Sequence, residues 1–572
     1  MTTSQISHAS RLRPRPGLIG SLPVYLVVAV LVLVPLGYLV YAALQSAPPG
    51  APAADFTLAN VAEVVTGRAY LEALRNSLWL GAVVSVFSVV LGVGLAWILG
   101  RTDVPFRRSL SVLVSLPIFL SPFAGGVAWV LLGSERSGLL NGVLRSVFGD
   151  GVPRIDIMTF TGLVFVMVLS FAPLAYLFTL GPMLNMDGSY EEASRLAGAS
   201  ILQTMRRITL PVVAPGILSA ALMVFVLAAE MFSVPGLIGT AAGYRTLPFF
   251  IYRQTSASPP QWGSAAAAGL ALLAVMMLGM ILQSRATRAS SRFVTISGKG
   301  TRPAVVRLGR WRWVAVAVPA LYVLVGVVLP AATLLLTTFL RYYTPMVTVD
   351  LLTLDNWARV LTSPGFRTAI ANTVLVGSAT PTVAVLVAFA VAYVRNRTVA
   401  PLRTVAETVG MLPIAVPGIV FGMGALWVYV GSPLYGTVWL LLVAYCARFL
   451  PHALRVISSG MVQIDRGLEE AARVAGAGTV RAVSTITAPL LRTAVLSSWL
   501  LLLIYCTREL NVAIMVYTSD SRVIPVLMWG AMESGSYQAA AIIAIVESAT
   551  ILLVVALAAA VLRVNLFSTG RH

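Results

Sequence analysis

Asp187-Gly-Ser-Tyr-Glu-Glu-Ala-Ser-Arg-Leu-Ala-Gly198, with Ile208-Thr-Leu-Pro211 after nine further residues, recurs 278 positions downstream. The second copy reads Asp465-Arg-Gly-Leu-Glu-Glu-Ala-Ala-Arg-Val-Ala-Gly476, then Ile486-Thr-Ala-Pro489. A stretch repeated with its spacing intact means a fold built twice, so the flanks should correspond as well. They do. Upstream, Phe171 and Pro173 return as Phe449 and Pro451. Earlier still, Asn76, Arg101-Thr102, Pro105 and Pro117 return 296 positions on as Asn372, Arg397-Thr398, Pro401 and Pro413. The offset falls by 18 because the segment 132–159 is longer than its counterpart around Gly431–Gly436.

The medium around this duplicated fold is lipid. Of 572 residues, 58% are hydrophobic and only 11% charged, with mean hydropathy +0.88. A soluble protein carries about 25% charged residues, so this chain cannot cover itself with polar surface. Disorder, collagen and a disulfide scaffold are excluded by the same numbers, since Cys446 and Cys506 are the only cysteines. Stretches of about 20 apolar residues, enough to cross the hydrocarbon core, lie at 19–44, 76–99, 109–132, 158–182, 212–235 and 262–283. Six more follow at 313–340, 370–394, 405–430, 436–457, 493–517 and 538–562. The first is too long for a signal-peptide core and reads as a retained anchor.

The expected fold is therefore an all-α integral membrane protein, with twelve transmembrane helices in two fused six-helix domains. An axis along the membrane normal relates them. The expected organisation is an N-terminal segment 1–18, a first domain 19–284, a basic linker 285–312, a second domain 313–562 and a tail 563–572. Twelve spans place both termini on one side. Of the 40 basic residues, 27 fall on that side, 11 on the other and two, Arg448 and Arg508, within spans. That asymmetry assigns the termini and both repeated loops to the cytoplasm. It also accounts for the net charge of +19 without nucleic acid, since the 39 arginines cluster between spans rather than along a stripe. The bilayer is the expected partner, and the linker is a candidate for contact with anionic lipid.

Each repeated loop reads as a short helix, a glycine turn and a second helix. Ser189 and Glu192 have capping-box spacing, and Asp465 can cap the second copy. Ala193, Ala197 and Gly198, with Ala471, Ala475 and Gly476, form small-residue surfaces that let another protein's backbone approach closely.

The pattern Glu192-Ala193, Gly198, Ile208 and Pro211, repeated as Glu470-Ala471, Gly476, Ile486 and Pro489, resembles the signature of binding-protein-dependent ABC importer permeases. Ser194 and Ala488 depart from it by small-for-small and apolar-for-apolar exchange. The fused layout is most similar to the ferric-iron type, a likeness covering nearly all the chain after Arg75. The resemblance implies a bacterial inner-membrane permease that forms a solute pathway and is not itself an enzyme. It also implies two ATP-binding subunits seated on the loops, using ATP and Mg, and an extracytoplasmic solute-binding protein. No cofactor bound by this chain is expected. Ferric iron is the expected solute, with 2-aminoethylphosphonate, thiamine and polyamine as alternatives.

No Gly-x-x-x-x-Gly-Lys-Ser/Thr loop occurs, and the single lysine, Lys299 in Ser297-Gly-Lys-Gly-Thr301, lacks the motif's first glycine. Neither His-Glu-x-x-His nor Gly-x-Ser-x-Gly occurs, so a membrane hydrolase has no catalytic cluster. An ion-coupled secondary transporter is the alternative class, and it would need intramembrane acids. Glu230 and Glu509 are the candidates. Two readings stand for them: an acidic lining for a cationic solute, or scaffold carboxylates, with Glu509 tethered by Arg508 or Arg448. No metal site is expected, and His452 reads as packing. Between spans three and four, Leu140, Val143, Leu144 and Phe148 share one helical face. That face predicts an interfacial helix on the outer side.

Overall fold

The computed structural model describes residues 18–47, 55–290 and 305–562. The N-terminal segment 1–17, linker residues 291–304 with Lys299, and the tail 563–572 lie outside the described residues. No named strand occurs among the described residues, which contain helices and three isolated β-bridges. Among the described residues, nine helices are long and apolar enough to cross a membrane: Ser21–Ala43, Arg68–Arg101, Phe160–Asn185, Ile201–Ala229, Trp262–Leu282, Gly309–Phe339, Pro364–Arg397, Val438–Gln463 and Tyr537–Leu557. Three bent helix pairs bring the number to twelve when each pair is counted as one span.

Two of the expected apolar stretches fold as two helices rather than one, and a third bend lies just before the stretch 493–517. Arg107–Phe119 meets Pro122–Gly133 at 98°, Arg403–Ala415 meets Gly418–Tyr429 at 114°, and Thr479–Leu490 meets Arg492–Thr507 at 70°. The first two breaks have a local cause. A residue preceding proline is driven out of the α region, and Ser121 before Pro122 and Val416 before Pro417 are both extended. Hydropathy runs on through each break, so composition alone does not register it.

Four other prolines act more gently. Pro35, Pro211, Pro330 and Pro489 each follow a five-residue π-turn by two positions: Ala29–Leu33, Met205–Thr209, Leu324–Val328 and Val483–Thr487. The proline ring would collide with the carbonyl four residues back, and the wider turn carries that carbonyl away. Pro35 and Pro330 are 295 positions apart, so the duplication reaches back into the first spans. Asn60 supports this, donating to Ala43 and Gln45 carbonyls as Asn356 donates to Thr338 and Leu340.

The halves are clasped rather than merely adjacent. The first span packs on Gly418–Tyr429 of the second half, where a β-carbon on Gly424 would stand 2.6 Å from the Pro35 carbonyl oxygen. Span seven packs reciprocally on Pro122–Gly133, and Tyr322 donates to the Leu169 carbonyl at 2.7 Å. Each first span thus covers the broken span of the other half.

The helix expected on the outer side forms at Leu139–Phe148, but its buried side is Leu139, Asn141 and Gly142. Val143 and Phe148, expected on one apolar face with Leu140 and Leu144, are exposed. Gly142 decides the orientation, since a β-carbon there would meet the Pro345 carbonyl oxygen at 1.8 Å.

Candidate functional site

Each repeated loop is a helical hairpin; the first runs on into the span Ile201–Ala229, and the second meets its span at the 70° bend. The first helix is Ser189–Leu196 and the second Arg466–Val474. Asp465 caps its helix as expected, accepting from the Gly467 N–H at 2.8 Å. The expected Ser189–Glu192 capping box does not form. Asp187 accepts from the Ser189 N–H instead, and the capping box lies at Ser200 and Gln203. Asp187 already occupies the turn position from which a side chain reaches the free N–H groups.

Gly198 and Gly476 close the two helices at φ +83° and +88°. Only glycine reaches that region without strain from a β-carbon. The closing bonds are the same in both copies: Gly198 N–H to the Arg195 carbonyl at 3.0 Å, and Gly476 N–H to the Arg473 carbonyl at 2.9 Å. Nothing lies within 4 Å of the outer side of either glycine. Glu192, Ala193, Pro211, Glu470, Ala471 and Pro489 are exposed alongside them, while Ile208 and Ile486 are half-buried and anchor each hairpin inward.

The sequence reading missed the residues that hold these loops to the membrane domain. Glu191, adjacent to Glu192, is buried and pairs with Arg101 at 2.8 Å while accepting from the Thr209 hydroxyl at 2.7 Å. Its repeat partner Glu469 pairs with Arg397 at 3.4 Å and accepts from Thr487. Arg101 and Arg397 end spans two and eight, so one carboxylate fastens each hairpin to a span end and to the start of the next span. The recurrence of Arg101-Thr102 as Arg397-Thr398 was the signal available for one side of that contact.

A second unread feature is on the tips. Leu196 is 90% exposed and its equivalent Val474 77%; Leu202 is 67% exposed and its equivalent Val480 83%. Each hairpin therefore presents two apolar side chains beside an open glycine turn, at matching positions.

Glu230 and Glu509 lie where the two halves meet. Glu230 caps the helix Leu210–Ala229 and pairs with Arg448 at 3.3 Å. Arg448 also donates to the carbonyls of Pro413 and Val416, at the second-half break. The first-half break receives a guanidinium from across the interface, since Arg508 donates to Ile118 and Leu120 carbonyls at 2.7 and 3.1 Å. Broken helices leave carbonyls without intrahelical partners, and at each break an arginine takes two of them. Glu509 accepts from the Val512 N–H at 3.0 Å and makes no ion pair with Arg508 or Arg448 among the described residues. Glu230 thus makes a cross-span contact of the scaffold kind, whereas the expected tether of Glu509 to Arg508 or Arg448 does not form. His452 packs against Phe449 and Tyr505. Among the described residues, no three His, Cys, Asp or Glu side chains cluster as a metal site.

Residues 88–291 match the family described as binding-protein-dependent transport system inner membrane component. The duplicated loop and the paired tethers carry the same architecture through the second half. The chain is a binding-protein-dependent ABC importer permease. It is similar to the ferric transport system permease protein FbpB of Actinobacillus pleuropneumoniae, 27% identical over 83% of this chain and 69% of that protein. A putative ferric transport system permease protein, FbpB 1 of Haemophilus influenzae, is 26% identical over 82% of this chain and 74% of that protein. A putative 2-aminoethylphosphonate transport system permease protein, PhnU of Salmonella choleraesuis, is 28% identical over 40% of this chain and 77% of its own length. The permease is thus a fused, multi-pass inner-membrane protein, and the ion-coupled transporter reading falls away.

Proposed function

We propose that this permease forms the pathway for ferric iron in an importer powered by two separate ATPase subunits, one on each hairpin. The carrying observation is the matched pair of hairpins, each held to its span by a buried Glu–Arg contact and each showing two exposed apolar side chains. A loop that transmits force needs a rigid inner fastening and an outer surface for a partner, and both copies have these. Glu192, Ala193, Gly198, Ile208 and Pro211, with Glu470, Ala471, Gly476, Ile486 and Pro489, form those seats. ATP and Mg act on the partner subunits, and this chain supplies no hydrolytic group. The termini and hairpins face the cytoplasm, and an extracytoplasmic binding protein delivers the solute. The unit boundaries proposed are 19–284 and 313–562, joined by the linker 285–312.

Iron is favoured by likeness over most of the chain to two ferric permeases. The 2-aminoethylphosphonate reading rests on a relative matched over 40% of the chain. Uptake of radiolabelled ferric iron, in cells with the permease gene intact or deleted and with ATP depleted, tests both parts. Iron uptake that falls with deletion and with ATP depletion is expected. Unchanged iron uptake together with lost 2-aminoethylphosphonate uptake would reverse the solute assignment.

A further inference from the structure

The turns that end spans two and eight lie beside the two hairpins, and they differ in what covers them. In the first half the linker returns to the turn. Val306 pairs with Thr102 as an isolated parallel bridge, donating to the Arg101 carbonyl at 2.8 Å and accepting from the Asp103 N–H at 3.2 Å. The Asp103 carboxylate accepts from the Leu308 N–H at 2.8 Å, and Val306 is buried. In the second half no backbone segment among the described residues bridges to Thr398, whose carbonyl accepts from the Arg403 guanidinium instead. A groove stands open there, lined by Arg397, Arg403, Arg466, Arg473, Glu469 and Glu470.

Two sequence differences set the groove apart. Val399 stands where the first half has Asp103, and Arg466 where it has Gly188. In the first half Arg101, Arg107 and Arg195 are balanced by Asp103, Glu191 and Glu192, whereas the second-half positions leave two guanidiniums in excess. Glu469 is already engaged, at 3.4 Å by Arg397 and 3.6 Å by Arg473. The basic linker that covers the first turn would be repelled here, and an anion is drawn in. The neighbouring surface is apolar: Leu402 and Val405 are exposed on either side of Arg403. A cationic groove at a span end, next to exposed apolar side chains, matches a phosphate with a hydrocarbon chain attached better than it matches a free anion.

We propose that the second-half groove binds the phosphate of one anionic phospholipid from the leaflet on the hairpin side. Its acyl chains run past Leu402 and Val405, and Arg403 and Arg466 hold the headgroup. One hairpin is then secured by the protein's own linker and the other by lipid, so only the second senses the composition of the leaflet. The inference rests on the chain spanning a membrane and not on the solute or the ATPase partners.

Native mass spectrometry of the delipidated full-length permease, titrated with phosphatidylglycerol or phosphatidylcholine, reads this out. One phosphatidylglycerol is expected to be retained in preference to phosphatidylcholine. Arg403→Gln with Arg466→Gln should weaken its retention roughly 10- to 30-fold, as loss of two juxtamembrane cations implies. Arg403→Lys with Arg466→Lys should keep it, which separates lost charge from lost fold. Arg107→Gln, at the equivalent first-half position, should leave it unchanged. Equal retention of the two lipids, unchanged retention in the double Gln variant, or displacement by inorganic phosphate at matching concentration each overturns the proposal. So does a double Gln variant that keeps its lipid but loses a co-purifying protein, since the groove would then hold an acidic protein side chain.

Discussion

Arg448 of the second half reaches Glu230 of the first at 3.3 Å while holding two carbonyls of the neighbouring broken span, the ninth. The contact joins the end of span five to the turn of span nine, so the acid acts through a cation that also stabilises backbone. A carboxylate neutralised in this way offers little attraction to a passing cation.

The first prediction follows from that pairing. Glu230→Gln should keep solute uptake within about threefold of wild type, since the amide still accepts from Arg448. Glu230→Leu should lower folded yield and melting temperature in detergent, because removing one partner of a buried pair costs about 3–5 kcal/mol. A double-mutant cycle with Arg448→Gln should show a coupling of roughly 0.5–3 kcal/mol. Loss of uptake in a well-folded Glu230→Gln variant would restore the acidic-lining reading.

The second concerns the tethers. Glu191→Gln or Glu469→Gln should loosen a hairpin from its span end, since the partner arginines Arg101 and Arg397 are buried. Transport is expected to fall while the spans remain inserted, and protease should cut the hairpins faster. Unchanged cleavage of the hairpins in both variants would remove the mechanical role assigned to these carboxylates.

The third concerns the glycine turns. Any β-carbon at the φ of Gly198 or Gly476 is strained by roughly 1–2 kcal/mol, with asparagine among the residues that visit the region most readily. Gly476→Asn should therefore retain ATPase co-purification and uptake better than Gly476→Val. Equal behaviour of the two would show that the partner surface, and not the backbone, selects glycine.

The fourth concerns the tips. If Leu196 and Val474 enter a partner surface, Leu196→Ala should weaken ATPase binding roughly tenfold, the effect of losing about 1.5 kcal/mol of apolar burial. Leu196→Glu should weaken it further. Binding measured on the detergent-purified complex decides this, and wild-type affinity in both variants would shift the seat away from the tips.

Much of the fold was legible because lipid imposes simple rules. Span number, the duplication and the hairpin boundaries all follow from apolar length and repeated spacing. The tether was not legible because Glu191 and Glu192 are adjacent on one helix, about 100° apart in direction. Which one faces inward depends on how the helix is rotated, and that is set by Arg101 and Thr209 from other elements. The breaks at Ser121 and Val416 escaped for a different reason, since an apolar run looks the same whether straight or folded back. Arg448 and Arg508 were visible as costly intramembrane charges, but backbone carbonyls carry no mark in sequence, so those partners stayed hidden.

The clasp between Pro35 and Gly424 also orders events during synthesis. The two residues are separated by 389 positions, and a ribosome adding about 5–20 residues per second needs roughly 20–80 s between them. Throughout that interval the face of the first span that includes Pro35 and Leu39 lacks its partner helix Gly418–Tyr429. That segment thus enters the bilayer well before it finds its place. Damage to the ninth span would strand a correctly inserted first one.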